Sequence, residues 1–197
     1  LVVSAILWGN MNRLMRAGFS EFEPGQTVLQ PACVYGTFSQ KLAEVLGPEG
    51  TLHVTDVATN QIESCRKKLA DFPTARIGLA DAAEPRDRQY DGVCCFFLLH
   101  EVPEDYKHRI VKSLLDATRP GGKTVFVDYH GPHWAHPLRP IMILVWRMLE
   151  PFALALSEHE IASYAPPALA KQFTWRKTTF FGGLYQKVVA TRLSPGS

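Results

Sequence analysis

Gly92-Val93-Cys94-Cys95-Phe96-Phe97-Leu98-Leu99 is the stretch on which the reading of the fold turns. After the leading glycine every residue is apolar, so the run has no polar face to present to water. A strand of this kind belongs in the middle of a parallel sheet that helices cover on both faces. Adjacent Cys94 and Cys95 then point to opposite faces.

Outward from this centre, strand and helix patterns alternate. An opening helix up to about Ala17 has Ile6, Leu7, Met11, Leu14 and Met15 at helical spacing, and a Gly, Pro and acidic break follows it. Thr27 to Ala32 is a short apolar strand, and Phe38 to Leu46 is a helix stopped by Gly47 and Pro48. Thr51 to Val57 is a second strand. Asn60 to Leu69 is a helix with basic residues in its last turn, where the helix dipole favours them, and a strand around Ala75 to Ala80 follows. Beyond the central run, Tyr106 to Thr118 is an amphipathic helix ended by Pro120, Gly121 and Gly122, and Lys123 to Asp128 is the fifth strand. Phe173 to Phe181 and Leu184 to Thr191, joined through Gly182 and Gly183, read as a closing hairpin. The pattern predicts an α/β fold over residues 1–197 as one domain, with a mostly parallel central sheet and a C-terminal antiparallel hairpin at or near its edge.

Composition narrows the function classes. The 197 residues are 46% hydrophobic and 20% charged, which suits a packed core. A net charge of +2 gives no basic field for nucleic acid, and no feature points to a protein partner. Cys33, Cys65, Cys94 and Cys95 form no CxxC pair, as expected of reduced thiols in the cytoplasm. Leu138 to Leu156 is apolar over nearly the length of a membrane span, but Arg139, Pro140, Arg147, Glu150 and Pro151 interrupt it. It reads as a buried helix, or as one that covers an apolar substrate or rests on a membrane interface.

In parallel sheets ligands bind beyond the carboxyl ends of the strands. The loop Gln30-Pro31-Ala32-Cys33-Val34-Tyr35-Gly36 occupies the place of a glycine-rich cofactor loop, although only its last glycine survives; an ordinary strand-to-helix turn is the alternative. Asp56, 20 residues beyond Gly36, can accept two ribose hydroxyls, with Val57 beside it. Asp81, followed by Ala82, can accept an adenine amino group or cap a helix. His100 and Glu101 open no metalloprotease motif, because Glu104 stands where a second histidine is needed; the pair stays a candidate, and His100 faces the crevice as a substrate or metal contact, with a packing or capping role as the alternative. Asp128 and His130, two apart in an extended segment, point to one face and suit a hard ion such as manganese(II), with His133 and His136 as spare donors. Histidines that merely hydrogen-bond the backbone are the competing reading. Tyr185 flanks the hairpin turn, where aromatic packing is the default.

The words VLQPACVYG, TLHVTDV, LADAA, YDGVCCFFLLHEVPE and RPGGKTVFVDYH resemble, in content and order, the motifs of class I S-adenosylmethionine-dependent methyltransferases of Rossmann-like fold, over roughly residues 27 to 130. More narrowly, ACVYG, FFLLHE, VDYH, HPLRP, LEPFA and FFGGLYQ resemble the rhodoquinone-biosynthesis methyltransferase-like family along nearly the whole chain. That resemblance implies conversion of ubiquinone to rhodoquinone, with a ring methoxy group replaced by an amino group from S-adenosylmethionine and with manganese as cofactor. On this reading Gln30, Ala32, Val34, Gly36, Asp56, Val57, Asp81 and Ala82 contact the cofactor. Asp128 and His130 hold the ion with the catalytic His100 near it, and Tyr35 and Tyr185 contact the quinone or move protons. Ubiquinone is a membrane lipid, so Leu138 to Leu156 becomes the expected contact with the inner membrane face. Gln30, Ala32 and Val34 depart from the acidic, glycine-rich pattern of ordinary methyltransferases. The alternatives are a conventional methylation of a quinone or other apolar ring, and an inert cofactor-binding module.

Overall fold

The computed structural model describes residues 9–131, 152 and 155–194. Seven strands form one sheet in the order β3-β2-β1-β4-β5-β7-β6. The strands are β1 (Thr27–Gln30), β2 (Thr51–Asp56), β3 (Ala75–Leu79), β4 (Tyr90–Phe96), β5 (Thr118–Tyr129), β6 (Phe173–Phe180) and β7 (Tyr185–Arg192). The first five run parallel, and β7 lies antiparallel between β5 and the edge strand β6. This is the Rossmann-like α/β fold expected, with the apolar β4 inside the sheet.

The two faces carry separate cores. Val28, Cys94, Phe96, Val125 and Val127 pack on one face, beneath α1 (Met11–Phe19), α2 (Phe38–Leu46) and α3 (Thr59–Lys68). Leu29, Val93, Cys95 and Phe126 face the other way, against α4 (Glu104–Asp116) and the short α5 (Ala155–Glu158) and α6 (Pro167–Ala170). The period-2 alternation along β4 therefore splits Cys94 from Cys95, as their adjacency predicts. Each fully buried leucine, such as Leu42 or Leu114, contributes about 1.5–3 kcal/mol by leaving water. All four cysteines are free thiols.

Element ends shift by a residue or two from the pattern, since helix termini are set by local hydrogen bonds rather than periodicity. The fifth strand departs further. It is paired from Thr118 through an irregularity between Tyr90 and Gly92, so Pro120, Gly121 and Gly122 lie within the strand segment rather than before it. Gly92 itself has a steric reason: a Cβ there would stand 2.4 Å from the Phe22 ring.

The expected helix over Leu138 to Leu156 lies outside the described residues except at Phe152, Ala155 and Leu156, and so do His133 and His136. No helix among the described residues is long and apolar enough to cross a membrane.

Candidate functional site

A cavity of about 370 Å³ opens beyond the carboxyl ends of β1, β2, β3 and β4. Its wall collects Ala32, Val34, Tyr35, Asp56, Val57, Asp81 and Ala82 from the expected set. Cys33, Gln61, Phe97, Glu101, Tyr106 and Ile110 also line it. Among the described residues three carboxylates line this space, and no Lys, Arg or His does. Such a cavity suits a ligand that carries positive charge beside flat apolar parts.

Local hydrogen bonds fix the carboxylates. Asp56 accepts the backbone N–H of Cys33 at 2.8 Å and that of Ala58 at 2.9 Å, and so ties the β1 loop to the end of β2. Asp81 accepts the Ala83 N–H at 2.8 Å and the Tyr106 hydroxyl, while Arg86 donates to the Asp81 carbonyl at 3.0 Å. The Tyr106 ring lies 4.8 Å from the Arg109 guanidinium, and its bond to Asp81 raises the phenol's pKa. Tyr35 and Val57 are among the few large hydrophobic side chains left exposed, at 69% and 66%.

Gln30 and Gly36 shape the loop without lining the cavity. Gln30 is fully buried, and its amide nitrogen donates to the Ala32 carbonyl at 2.7 Å. Gly36 adopts φ +70, a left-handed conformation that explains why the last glycine of the loop persists. In the same loop Cys33 interacts with Cys65 of α3, which raises the pKa of the Cys33 thiol and lowers that of Cys65.

The remaining expected residues form a separate group behind the cavity wall. Phe97 turns the chain after β4 with φ 51°, held by its N–H bond to the Val127 carbonyl at 2.8 Å. Its ring stands 5.7 Å from His100, 5.3 Å from Tyr129 and 6.0 Å from Tyr185. His100 is 7% exposed and Tyr185 is fully buried, so neither lies on the cavity wall as the resemblance implied.

Asp128 and His130 are likewise committed. Asp128 is 1% exposed and accepts the Leu99 N–H, the Tyr129 N–H and the His100 Nδ1–H, each at 2.8 Å. His130 Nδ1 donates to the Gly183 carbonyl at 2.9 Å, and its Nε2 accepts from Lys177 Nζ at 3.1 Å. Among the described residues no group of three or more His, Cys, Asp and Glu is placed to hold a metal. This donor set, as arranged, does not fit manganese: both ring nitrogens of His130 and both oxygens of Asp128 are already in hydrogen bonds.

The sequence keeps Glu101 as a candidate beside His100 without a role, and gives no sign of Gln61, Phe97, Tyr106 or Ile110 as cavity residues. The spacing of Tyr106 and Ile110, one helical turn apart near the start of α4, is the signal available for two of them.

Comparison with known proteins agrees with the architecture. Residues 28–122 match the methyltransferase-domain family. The chain is 27% identical over 139 residues to the ubiquinone/menaquinone biosynthesis C-methyltransferase of Ectopseudomonas mendocina, covering 66% of this chain and 54% of that protein. It is 27% identical over 180 residues to the demethylmenaquinone methyltransferase of Lactococcus lactis, covering 83% and 69%. Across the curated relatives it matches, this chain mostly spans about half of their length, as in the Ectopseudomonas case at 54%. Among solved structures, the N-methyltransferase NodS of Bradyrhizobium japonicum bound to S-adenosyl-L-homocysteine superposes with a TM-score of 0.65 at 14% identity, over 95% of this chain and 87% of that one. The solved neighbour shares the fold of this chain, and the methyltransferase-domain match lies within that fold, over residues 28–122.

Proposed function

We propose that the cavity holds S-adenosylmethionine and that the chain transfers a group from it to the ring of a lipid quinone. The observation that carries the cofactor is the charge of the cavity. The ligand brings a sulfonium and an ammonium beside one carboxylate, and among the described residues the wall offers Asp56, Asp81 and Glu101 with no cationic side chain. The quinone rests on the relatives, named as ubiquinone/menaquinone and demethylmenaquinone methyltransferases.

The reaction we assign is the replacement of a ubiquinone methoxy group by an amino group, giving rhodoquinone. Its support is the family resemblance, together with Gln30 and Tyr35 in a loop that serves ordinary methylation poorly. C-methylation of a quinone is the second reading, and the names of the relatives favour it. Manganese stays outside the assigned steps, because Asp128 and His130 would both have to give up hydrogen bonds to reach it. The proposal extends to peripheral contact with the inner membrane face from the cytoplasmic side through Leu138–Leu156, read by co-sedimentation with vesicles.

Incubation with ubiquinone and S-adenosylmethionine labelled with heavy nitrogen at its amino group and heavy carbon at its methyl group decides the reaction. Nitrogen label in the quinone supports amination, and methyl label supports C-methylation. Neither label, with or without manganese(II), leaves an inert cofactor-binding module. Turnover that disappears on chelation and returns with manganese(II) would restore the ion, with a rearranged donor set.

A further inference from the structure

We infer that Tyr106 is a positioning residue, one that sets the Asp81 carboxylate to accept a 6-amino purine and so makes the cavity reject a 6-oxo base. This rests on S-adenosylmethionine occupying the cavity with its base at Asp81, and it assigns the group that gives that end its base specificity.

The helix α4 supplies the geometry. Tyr106, Arg109 and Ser113 follow one another at helical spacing along it and so lie on one face. All three engage the segment after β3. Tyr106 donates its hydroxyl to Asp81 Oδ2, Arg109 pairs with Glu84 Oε1 at 3.1 Å, and Ser113 Oγ donates to the Glu84 carbonyl at 2.6 Å. Asp81, Ala82, Tyr106 and Ile110 are thereby brought together on the cavity wall.

The carboxylate is held by both of its oxygens. Oδ1 accepts the Ala83 N–H at 2.8 Å and Oδ2 accepts the Tyr106 hydroxyl, so the group cannot turn without breaking one of these bonds. Each oxygen keeps a further lone pair. A charged acceptor of fixed direction suits an exocyclic amino group, which is what adenine carries. Hypoxanthine sets an oxo acceptor against it instead, and the ring N–H beside that oxygen lies where a carboxylate held at two points does not follow. A site built to pair with a donor rejects the analogue that lacks it, because its own polar group is left unpaired.

Titration calorimetry with S-adenosyl-L-homocysteine and S-inosyl-L-homocysteine, whose bases are adenine and hypoxanthine, tests this. The wild-type chain should bind the adenine ligand about ten-fold more tightly or better, the size of one hydrogen bond to a charged group. Tyr106→Phe keeps the ring and loses the hydroxyl. It should weaken the adenine ligand about ten-fold and leave the hypoxanthine ligand unchanged, so that the preference collapses. Arg109→Ala removes the cation that stands 4.8 Å from the same ring but keeps the hydroxyl; it should shift both ligands together and retain the wild-type preference. Equal effects of Tyr106→Phe on both ligands, or on neither, overturn the inference while leaving the cofactor site in place, and so does a preference lost in Arg109→Ala. A wild-type chain that binds both ligands alike moves the base away from Asp81 and overturns the inference with it. One that binds neither overturns the cofactor reading as well.

Discussion

Asp128 and His100 form a buried pair, with the carboxylate Oδ1 accepting the imidazole Nδ1–H at 2.8 Å across the ends of β5 and β4. The same carboxylate takes the Leu99 and Tyr129 N–H groups. It acts as a bracket between two strands and the turn that carries Glu101.

Removing that bracket should unfold the protein more easily. Asp128→Ala leaves three buried donors without an acceptor, at a cost of about 3 kcal/mol. Thermal melts without any added metal should show the loss. His130→Ala removes bonds at the rim of the hairpin turn and should cost under about 1 kcal/mol. A wild-type melting temperature for Asp128→Ala would return Asp128 to the role of an uncommitted ligand.

Asp56 serves the ligand and the loop together. Asp56→Ala should weaken S-adenosyl-L-homocysteine and 5′-methylthioadenosine alike, by roughly ten-fold, because both carry the ribose and both need the Cys33 loop held. Calorimetry that finds unchanged affinity for either ligand would move the ribose elsewhere.

Glu21 gives stability a pH dependence. Burial raises its pKa, but hydrogen bonds and charge from Lys187 and Arg176 outweigh that and leave it below the ordinary 4.5. Lys187 stands 2.6 Å away and Arg176 2.9 Å. A lowered folded-state pKa means the contribution is complete above pH 4.5 and fades as pH falls through the folded value. Glu21→Gln should therefore cost roughly 2–3 kcal/mol at neutral pH, less than a fully enclosed pair because Arg176 is exposed. Urea titrations should show the gap between the two proteins narrowing below pH 4.5. A gap that is constant with pH would assign the loss to packing alone.

Gly92 is a close-approach site. In Gly92→Ala the new methyl would meet the Phe22 ring at 2.4 Å, and the ring must move out of its packed position. Overpacking of this kind costs roughly 1–3 kcal/mol. Chemical denaturation that detects no change would show that Phe22 moves freely.

Much of this was legible in the residues themselves. A wholly apolar Gly92–Leu99 run cannot lie at a wet edge, and helical or alternating periods on either side leave few topologies; the observed order β3-β2-β1-β4-β5-β7-β6 is one of them. Asp56 and Asp81 come to the cavity wall for the same reason, since the ends of parallel strands mark the crevice wherever the fold is known. The tertiary structure alone decided the rest. Spacing places Asp128 and His130 near each other, but what each hydrogen-bonds depends on Leu99, His100 and Gly183, which are remote in sequence. Burial took Tyr185 and His100 from the cavity wall, and the turn after β4 put Glu101 on it. Periodicity reports which face of an element is apolar; it carries no information about the partner that fills a hydrogen bond across strands, and that partner determines whether a polar side chain is free to meet a ligand.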